Sequence, residues 1–419
     1  MWRFFRGVCL ATTIAAGIAG RAQAQQALTW EEIKARFEAN NPTLRAGQIG
    51  VEEAKANEIS AYLRPNPSLT VLADQIAPFP GGPEHGPFAY FLPAATVNYL
   101  HERAHKRELR LESAQKASGI ATSGEADLER NLIFSLRSAF VGTLQAKAVL
   151  RVATDNLKYW DDVLRIEQDR YDAGDIAQLD LDRLELQRVQ YESDLQTAEV
   201  NLRTAKLQLL LLLNDRTPVD QFEVIGLYEF NDQLAPLDQF RQIAQDNRPD
   251  LKAAAQSVDK AKTDHQLAVA NGSTDPTFGF DVGRNPPIDA YIGASVNIPL
   301  RIFDRNQGEK LRTQLDVDRN QKLLDATQAQ VFSDVDSAYA LANSNLILLR
   351  PYKAKYLKQA LRVRETVRFS YEHGGATLID FLDAQKEYRD TELNYLNLIG
   401  SYLIAAGQLN LAVGREVLQ

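Results

Sequence analysis

The sequence predicts a mainly α-helical fold with a small β part, built from an internal duplication. A glycine-centred segment between two long helical patterns occurs twice, at 171–182 and 371–383, and its Tyr, Gly and Asp recur at a constant offset. Two runs of alternating apolar and polar residues precede each copy. A glycine between two long helices is typical of the tip of a helical hairpin, because other residues resist the turn backbone. A repeat of this length indicates the overall architecture, so it is interpreted before any local motif.

Residues 1–24 have the pattern of a signal peptide. Arg3 and Arg6 precede a short apolar run, and 22–24 form an A-x-A cleavage pattern. The run is too short to cross a bilayer, so we expect export rather than a transmembrane anchor. The only cysteine, Cys9, lies inside this segment and away from the cleavage site. We therefore expect a mature chain without disulfides, thiol chemistry or an N-terminal lipid.

The charge balance argues against a nucleic-acid partner. The chain has 47 basic and 55 acidic residues and a net charge of −8. The expected leader contains three arginines and no acids, so its removal makes the protein more acidic still. An acidic exported protein binds nucleic acid poorly. After the leader no uninterrupted apolar stretch reaches 18 residues, so we expect no membrane-spanning helix. Strands of a membrane barrel would escape this test, because their hydropathy signal is weak.

The first repeat is predicted to span 25–214, and a connecting segment follows at 215–236. Asn41-Pro42 separates two short helices, since the residue before a proline avoids helical geometry. The further elements of this repeat are two strands at about 67–76 and 88–100, a very long helix from about His101 to Tyr171, a tip near 174 and a return helix.

The second repeat, 237–419, follows the same plan. Arg248-Pro249 corresponds to Asn41-Pro42. The further elements are two strands at about 276–284 and 290–299, a long helix from about Arg305 to Tyr371, a tip near 374 and a final helix. The helix before the strands and the helix after the tip together approach the long helix in length. Two stacked shorter helices can therefore lie alongside one long helix.

The four predicted strands have the length that crosses a bilayer when tilted, about 10 residues. One side of each is apolar and the other is small or polar, as in a barrel with lipid outside and water inside. Four strands cannot close around a lumen, and open strand edges are not tolerated in lipid. If the strands lie in a membrane, several copies of the chain must share one barrel. The alternative is a periplasmic four-stranded sheet covered by helices.

The order of these elements resembles the TolC-type outer membrane factors of bacterial tripartite efflux pumps. The segments that carry the resemblance are 41–44, Ala338-Tyr339, 374–383 and the joint 297–308, Asn-Ile-Pro-Leu-Arg-Ile-Phe-Asp-Arg-Asn-Gln-Gly. The resemblance covers essentially the whole mature chain, and the order of the segments is more specific than any one of them. The joint favours the heavy-metal, CzcC-like branch.

The resemblance implies a homotrimer in the outer membrane of a Gram-negative-type bacterium. Each protomer would give four strands to a 12-stranded β-barrel in lipid and its helices to a long periplasmic α-barrel, with 215–236 at the equator. It implies a passive duct, not an enzyme, without a cofactor or a metal site. The implied partners are a periplasmic adaptor protein and an inner-membrane pump of the RND type. The implied adaptor-docking tips are Ala173, Gly174, Asp175, His373, Gly374 and Gly375.

The resemblance also implies a gate near the second tip. Asp380 and Asp383 lie where the family places acidic rings at the periplasmic constriction, and Tyr371 lies where a gating tyrosine stands. Ala376 and Thr377 occupy the turn in which the family has a basic gating partner, so that partner is absent here. Three copies of each acid would face one another across a narrow lumen. Such rings attract cations, and their closeness is expected to raise the pKa of some carboxyls.

Two other functions are compatible with parts of the sequence. His101-Glu102-Arg103-Ala104-His105 matches H-E-x-x-H, which on a helix would place two zinc ligands on one face and offer a general base for a zinc protease. Lys106-Arg107 follow at once, and a polar collar at a membrane edge explains the same residues. The hairpins alone would also suit a periplasmic coiled-coil adaptor, which would usually carry a lipoyl-like or β-barrel domain between its arms. Because a polar collar explains His101 and His105 without any chemistry, we expect no catalytic residue.

Overall fold

The computed structural model describes residues 27–76, 88, 91–285 and 287–418. The expected signal peptide, most of the loop between the first two strands, and Gln419 lie outside these residues. The described helices are α1 Trp30–Asn40, α2 Pro42–Tyr62, α3 Lys106–Asp172, α4 Gln178–Leu212, α5 Leu237–Asn247, α6 Pro249–Asn271, α7 Gln307–Pro351, α8 Leu357–Glu372 and α9 Leu378–Val413. The strands are β1 Ser68–Asp74, β2 Leu92–Leu100, β3 Thr277–Asn285 and β4 Ile288–Asn297.

The short helices lie along the long ones in both halves. α2 and α4 pack on α3, while α6 and α9 pack on α7. α1 begins at a capping box in which Thr29 and Glu32 satisfy each other's backbone amides. Asn41 then ends α1 and caps α2, because its Oδ1 accepts from the Leu44 amide at 2.9 Å. Proline at the first position of α2 and of α6 fixes where each helix restarts.

The four strands form one antiparallel sheet in the order β1-β2-β3-β4. The register places Val71 beside Ala95, Ala95 beside Val282, and Val282 beside Ile292, so one face is apolar across all four strands. The side chains of that face are largely exposed, from Val282 at 42% to Ile292 at 75%. Among the residues that the structure describes, no helix covers this face, which contradicts the alternative of a sheet covered by helices.

The other face of the sheet is small and polar. Its rows contain Ser68, Asn98, Gly279 and Ser295, then Thr70, Thr96, Asp281 and Gly293. The glycines make room for the polar groups, since a Cβ added at Gly293 would lie 2.7 Å from Asp281 Oδ1. A Cβ at Gly279 would lie 2.9 Å from Asn98 Oδ1. The two faces thus have the contrast expected between lipid and water.

The first long helix begins later than predicted. It starts at Lys106 rather than near His101, because Ala104 and His105 adopt left-handed backbone conformations with φ of 58° and 55°. This turn redirects the chain from β2 into α3. Lys106 is 4% exposed at its side chain and donates to Asp275 at 2.5 Å, which ties the start of α3 to the segment before β3.

The second long helix is interrupted, whereas the sequence predicted one helix from about Arg305 to Tyr371. Residues 352–356 form a wider, π-helical turn between α7 and α8. Pro351 ends α7 directly before it, and a proline cannot donate the backbone hydrogen bond of a regular turn. The two halves therefore differ: α3 is continuous over 67 residues, and its counterpart has a break.

Four clusters of buried apolar residues lie along the helical body. The connecting segment contributes to them, since Phe222 and Val224 pack with Phe37 and Leu136. α9 contains an 18-residue window that is long and apolar enough to cross a membrane, although the sequence suggested no such helix. Because 61% of that window is buried against other helices, its composition is explained by packing.

Candidate functional site

The two hairpin tips have the same backbone. In the first tip the amide of Gly174 donates to Tyr171 O at 2.9 Å, and in the second Gly374 donates to Tyr371 O at 3.1 Å. Both glycines have positive φ, 83° and 75°, the region that favours glycine. The residues predicted to dock an adaptor, Ala173, Gly174, Asp175, His373, Gly374 and Gly375, are all exposed.

His373 is held by its own helix. Its ring lies against Phe369 with 4.1 Å between centroids, and its Nδ1 is 2.8 Å from the Phe369 carbonyl oxygen. Since a carbonyl only accepts, this geometry places the proton on Nδ1. Phe369 itself is 62% exposed, so the pair forms an aromatic edge beside the second tip.

An aromatic cluster joins the two hairpins just behind the tips. Its buried members are Trp160, Val163, Leu184, Tyr191, Tyr371, Leu378 and Phe381, and we call them the tip cluster. Phe381 stacks on Tyr371 with 5.0 Å between centroids and meets Trp160 edge-on at 6.1 Å. Aromatic pairs of this kind stabilise by about 0.5–1.5 kcal/mol beyond their buried area. The cluster therefore fixes the end of one hairpin against the end of the other.

Tyr371 contacts a buried acid on the opposite hairpin. Its hydroxyl donates to Glu167 Oε2 at 3.3 Å, and Glu167 is only 3% exposed. Arg170 binds the same carboxylate, with Nη1 3.1 Å from Oε1, and its guanidinium lies 5.5 Å from the Tyr371 ring centroid. Burial, followed by the nearby Glu167 charge, raises the pKa of Tyr371 to about 12. The hydroxyl therefore stays protonated and remains a donor at neutral pH.

Asp380 and Asp383 lie in the first two turns of α9, and both are exposed. Asp380 already has local partners: its Oδ2 accepts from the Thr377 amide at 3.0 Å and from the Thr377 hydroxyl at 2.7 Å. Thr377 Oγ1 in turn accepts from the Asp380 amide, which completes a capping box. The Thr377 hydroxyl and amide lower the pKa of Asp380 in the single chain.

The H-E-x-x-H segment does not form a zinc site. His101 and His105 precede α3 instead of lying on it, and the left-handed turn at Ala104 and His105 removes the helical spacing that two ligands need. Glu102 is bound by Arg110, with Nη2 2.9 Å from Oε2. Across the described residues, no group of three or more His, Cys, Asp or Glu is placed to hold a metal ion.

Glu167 and Trp160 were missed by sequence reasoning. Each lies about 200 positions before its partner on α8 or α9, so no local pattern connects them. The available signal was the apolar environment of an acid: Glu167 lies one turn from Val163 on the helix face that Trp160 also occupies.

Comparisons with known proteins agree with this architecture. Residues 240–415 match the family model described as outer membrane efflux protein. The cobalt-zinc-cadmium resistance protein CzcC of Cupriavidus metallidurans is 23% identical over 93% of this chain and 90% of its own length. A crystal structure of CusC superposes with a TM-score of 0.78 at 17% identity, covering 92% of both chains. The open-state MtrE channel of Neisseria gonorrhoeae gives 0.74 at 16% identity, over 93% of this chain and 89% of its own.

Proposed function

We propose that this chain, whose residues 240–415 match the outer membrane efflux protein family, is a member of that family and forms the outer-membrane duct of a tripartite efflux system. The observation that carries the proposal is the junction of two structures. A sheet with one exposed apolar face continues directly into helices of up to 67 residues, about 100 Å at 1.5 Å per residue. A membrane crossing and a periplasmic conduit are thus parts of one chain.

The proposed assembly is a homotrimer with a 12-stranded barrel in outer-membrane lipid. Four strands leave two free edges, and three copies give a barrel large enough to enclose a lumen. The small polar face, with Gly279, Asp281 and Gly293, would then line the water, and the face with Phe280 and Ile292 would meet lipid. The alternatives of a coiled-coil adaptor and of a zinc protease do not agree with this family.

We propose that the exposed tips dock the helical hairpins of a periplasmic adaptor, which couples the duct to an inner-membrane pump of the RND type. The two tips present the same turn backbone, so one adaptor motif can meet both. The side chains then distinguish the sites: Asp175 stands at the first tip and Gly375 at the corresponding position of the second.

We propose that the entrance is closed by the region behind the second tip. The Tyr371–Glu167 hydrogen bond and the Arg170–Glu167 ion pair would hold the hairpins together. Arg170, on α3, would then be the basic group that the turn after the second tip lacks. Opening would require Tyr371 to leave the tip cluster. Asp380 and Asp383 would form the acidic ring. Asp380 would contribute while its Oδ2 accepts the hydrogen bond from the Thr377 hydroxyl.

Metal cations are the proposed cargo, because the relative CzcC is named for cobalt, zinc and cadmium resistance. The expected mature chain has neither cysteine nor methionine, since the only ones are Cys9 and Met1. It therefore offers no soft-metal ligand, and selection among metals would be made by the pump and the adaptor. The acids at the entrance would attract cations without binding one tightly.

Planar-bilayer conductance tests the ring. We expect a cation-selective pore that trivalent cations block from the periplasmic side, with both effects weakened in Asp380→Asn with Asp383→Asn. The matched control is Asp180→Asn with Asp182→Asn at the first tip, which should retain selectivity and block. Unchanged selectivity and block in the first variant would leave these acids as solvated residues on the outer wall.

A further inference from the structure

The edges of the sheet bring two exposed apolar segments to the same end of the molecule. Among the described residues, neither β1 nor β4 has a strand on its outer side. Ser68 at the start of β1 and Ser295 near the end of β4 lie in the same row of the sheet, so both are at the helical end. The segment before β1 and the segment after β4 therefore leave the sheet at one level.

The segment after β4 is unusually apolar for an exposed connection. Leu300 is 79% exposed, Phe303 is 91% exposed, and Ile298 and Ile302 are more than half exposed. A group of large side chains in this state marks a surface that another molecule covers. We call residues 298–303 the exit segment.

The exit segment is held in place rather than loosely attached. Asn306, in a left-handed conformation, donates from Nδ2 to Ala268 O at 2.7 Å, which ties the start of α7 to α6. Arg305 donates its amide to Gln307 Oε1 at 2.8 Å, and the Ile302 amide donates to Leu300 O at 3.0 Å. A fixed apolar segment pays little conformational entropy on binding, which suits a defined protein contact.

A complementary surface precedes β1. Ile59 is 69% exposed and Leu63 is 62% exposed, and Tyr62 at the end of α2 is also exposed. Pro65 and Pro67 follow, and they keep the chain extended up to β1. We call residues 59–63 the α2 end.

Antiparallel geometry brings these two surfaces together between copies. In a shared barrel, β4 of one copy pairs with β1 of the next, and the two run in opposite directions. The exit of β4 then lies beside the start of the neighbouring β1. Charge agrees with this contact, since Asp304 beside the exit segment and Arg64 beside the α2 end form no ion pair within the described part of their own chain.

We propose that the exit segment of each copy packs on the α2 end of the next copy, as a latch between protomers at the junction of barrel and helices. The latch rests on the proposed trimer and adds to it the contact that fixes neighbouring helical bodies below the membrane. Phe303 is its central side chain, covered by Ile59 and Leu63 of the neighbouring copy. Burial of these exposed groups stabilises the assembly through the hydrophobic effect.

Cysteine cross-linking of the exported protein tests the latch. Because the expected mature chain has no cysteine, Leu63→Cys with Phe303→Cys provides the only thiols. A short bis-maleimide applied to outer membranes is expected to give covalent dimers and trimers, while each single variant gives monomers. The matched control is Leu63→Cys with Leu227→Cys, because Leu227 is 86% exposed but lies in the connecting segment. It should not cross-link.

The outcomes separate the latch from the trimer. Light scattering of the wild type in detergent reports the assembly independently: a trimer without Leu63–Phe303 cross-links overturns the latch alone, and a monomer overturns both. Equal cross-linking in the control also overturns the latch, because proximity would then be unspecific. Lipid is the other possible cover for Phe303. Quenching of Phe303→Trp fluorescence by brominated phospholipid would show that occupant and overturn the proposed one.

Discussion

The two hairpin tips share a backbone and differ in their side chains. Both turns repeat the same hydrogen bonds at the same offset, and both depend on a glycine with positive φ. Yet Tyr371 is 8% exposed within the tip cluster, whereas its counterpart Tyr171 is only half-buried. The helix after the second tip begins with a capping box, whereas Ala177, the residue before the helix that follows the first tip, provides no side-chain cap.

This difference shows which features the duplication retained. The turn backbone has few solutions, so both copies keep it. The side chains around it are free to diverge, and only the second tip carries the stacked Tyr371–Phe381 pair and the link to Glu167. A pore entrance that closes needs one movable element against a fixed one. In the proposed duct the second tip would be that movable element, because opening it would break the Tyr371 contacts, which the first tip lacks.

The largest expected difference is between the two tyrosines. Tyr371→Ala removes a buried ring and leaves Glu167 with one partner fewer, and we expect a loss of about 3–4 kcal/mol in the free energy of opening the second tip. Tyr171→Ala should cost less than about 1 kcal/mol at the first tip. Hydrogen exchange of the backbone amides, read by mass spectrometry, measures both. Equal losses at the two tips would contradict an asymmetric entrance.

The next difference is between Asn41 and Arg248, the residues that separate the two short helices in each half of the chain. Asn41 Nδ2 donates to Leu212 O at 2.9 Å, and Arg248 Nη1 donates to Ala412 O at 3.3 Å, so each ties its half to the end of the return helix. Arg248 also binds Asp250 and Asp334 and is 6% exposed.

Arg248→Ala should therefore destabilise the protein by about 3 kcal/mol, because two partly buried carboxylates lose their partner. Asn41→Ala loses neutral hydrogen bonds only and should cost about 1–2 kcal/mol. The shift in thermal unfolding midpoint ranks the two variants. Arg248→Lys is the control, since it keeps the charge but not the fork that meets two acids. A larger loss for Asn41→Ala would overturn this ranking.

The repeated plan and the strands were predictable because their signals are local. Glycine at 174 and 374 indicates a turn, and alternation of apolar and polar residues indicates a strand. The register of the sheet confirms that the apolar residues share one face. The need for several copies to close one barrel followed from the count of strands, which is a property of the whole sequence, whereas the proposed number of three came from the family resemblance. Such features need no knowledge of which distant residues meet.

Features that depend on distant contacts or on backbone exceptions were not predictable. The helical pattern after His101 does not show that Ala104 and His105 adopt left-handed backbone conformations. That turn depends on the passage of the chain from sheet to helix and on the ion pair between Lys106 and Asp275. Pro351 can be read from the sequence, but a long helix can accommodate a proline as a kink. The sequence therefore did not show that the helix would widen into a π-helical turn at 352–356. The roles of the site residues stay predictions.

The raised pKa of Tyr371 gives a dependence on pH. An ordinary tyrosine in the unfolded chain loses its proton near pH 10, and the folded chain keeps it to about 12. Between these values the folded state binds more protons, so stability is unchanged below pH 10 and falls as the pH rises toward 12, by about 2–3 kcal/mol in total. Tyr371→Phe should lack this component. The thermal midpoints of wild type and variant, compared at pH 8 and at pH 11, measure it; parallel curves would refute the assignment.

The smallest expected difference concerns the caps of the two return helices. Thr377→Ala removes the hydroxyl that accepts from the Asp380 amide, and we expect the first turn of α9 to lose about 1 kcal/mol. Thr377→Ser is the control and should lose little. Amide exchange of residues 378–381 reports the change.

The reverse substitution decides whether the asymmetry is one of side chains or of backbone. Asp180 stands at the third position of α4, as Asp380 does in α9, and Ala177 has an extended backbone with φ −78° and ψ 149°, close to the −85° and 161° of Thr377. Everything needed for a capping box is therefore present at the first tip except the hydroxyl. Ala177→Thr should slow amide exchange in the first turn of α4 by about the factor that Thr377→Ala accelerates it in α9, since a cap contributes about 1 kcal/mol in either place. If exchange at the first tip does not change, the two turns are not interchangeable, and the shared backbone hides a difference in the helix that follows.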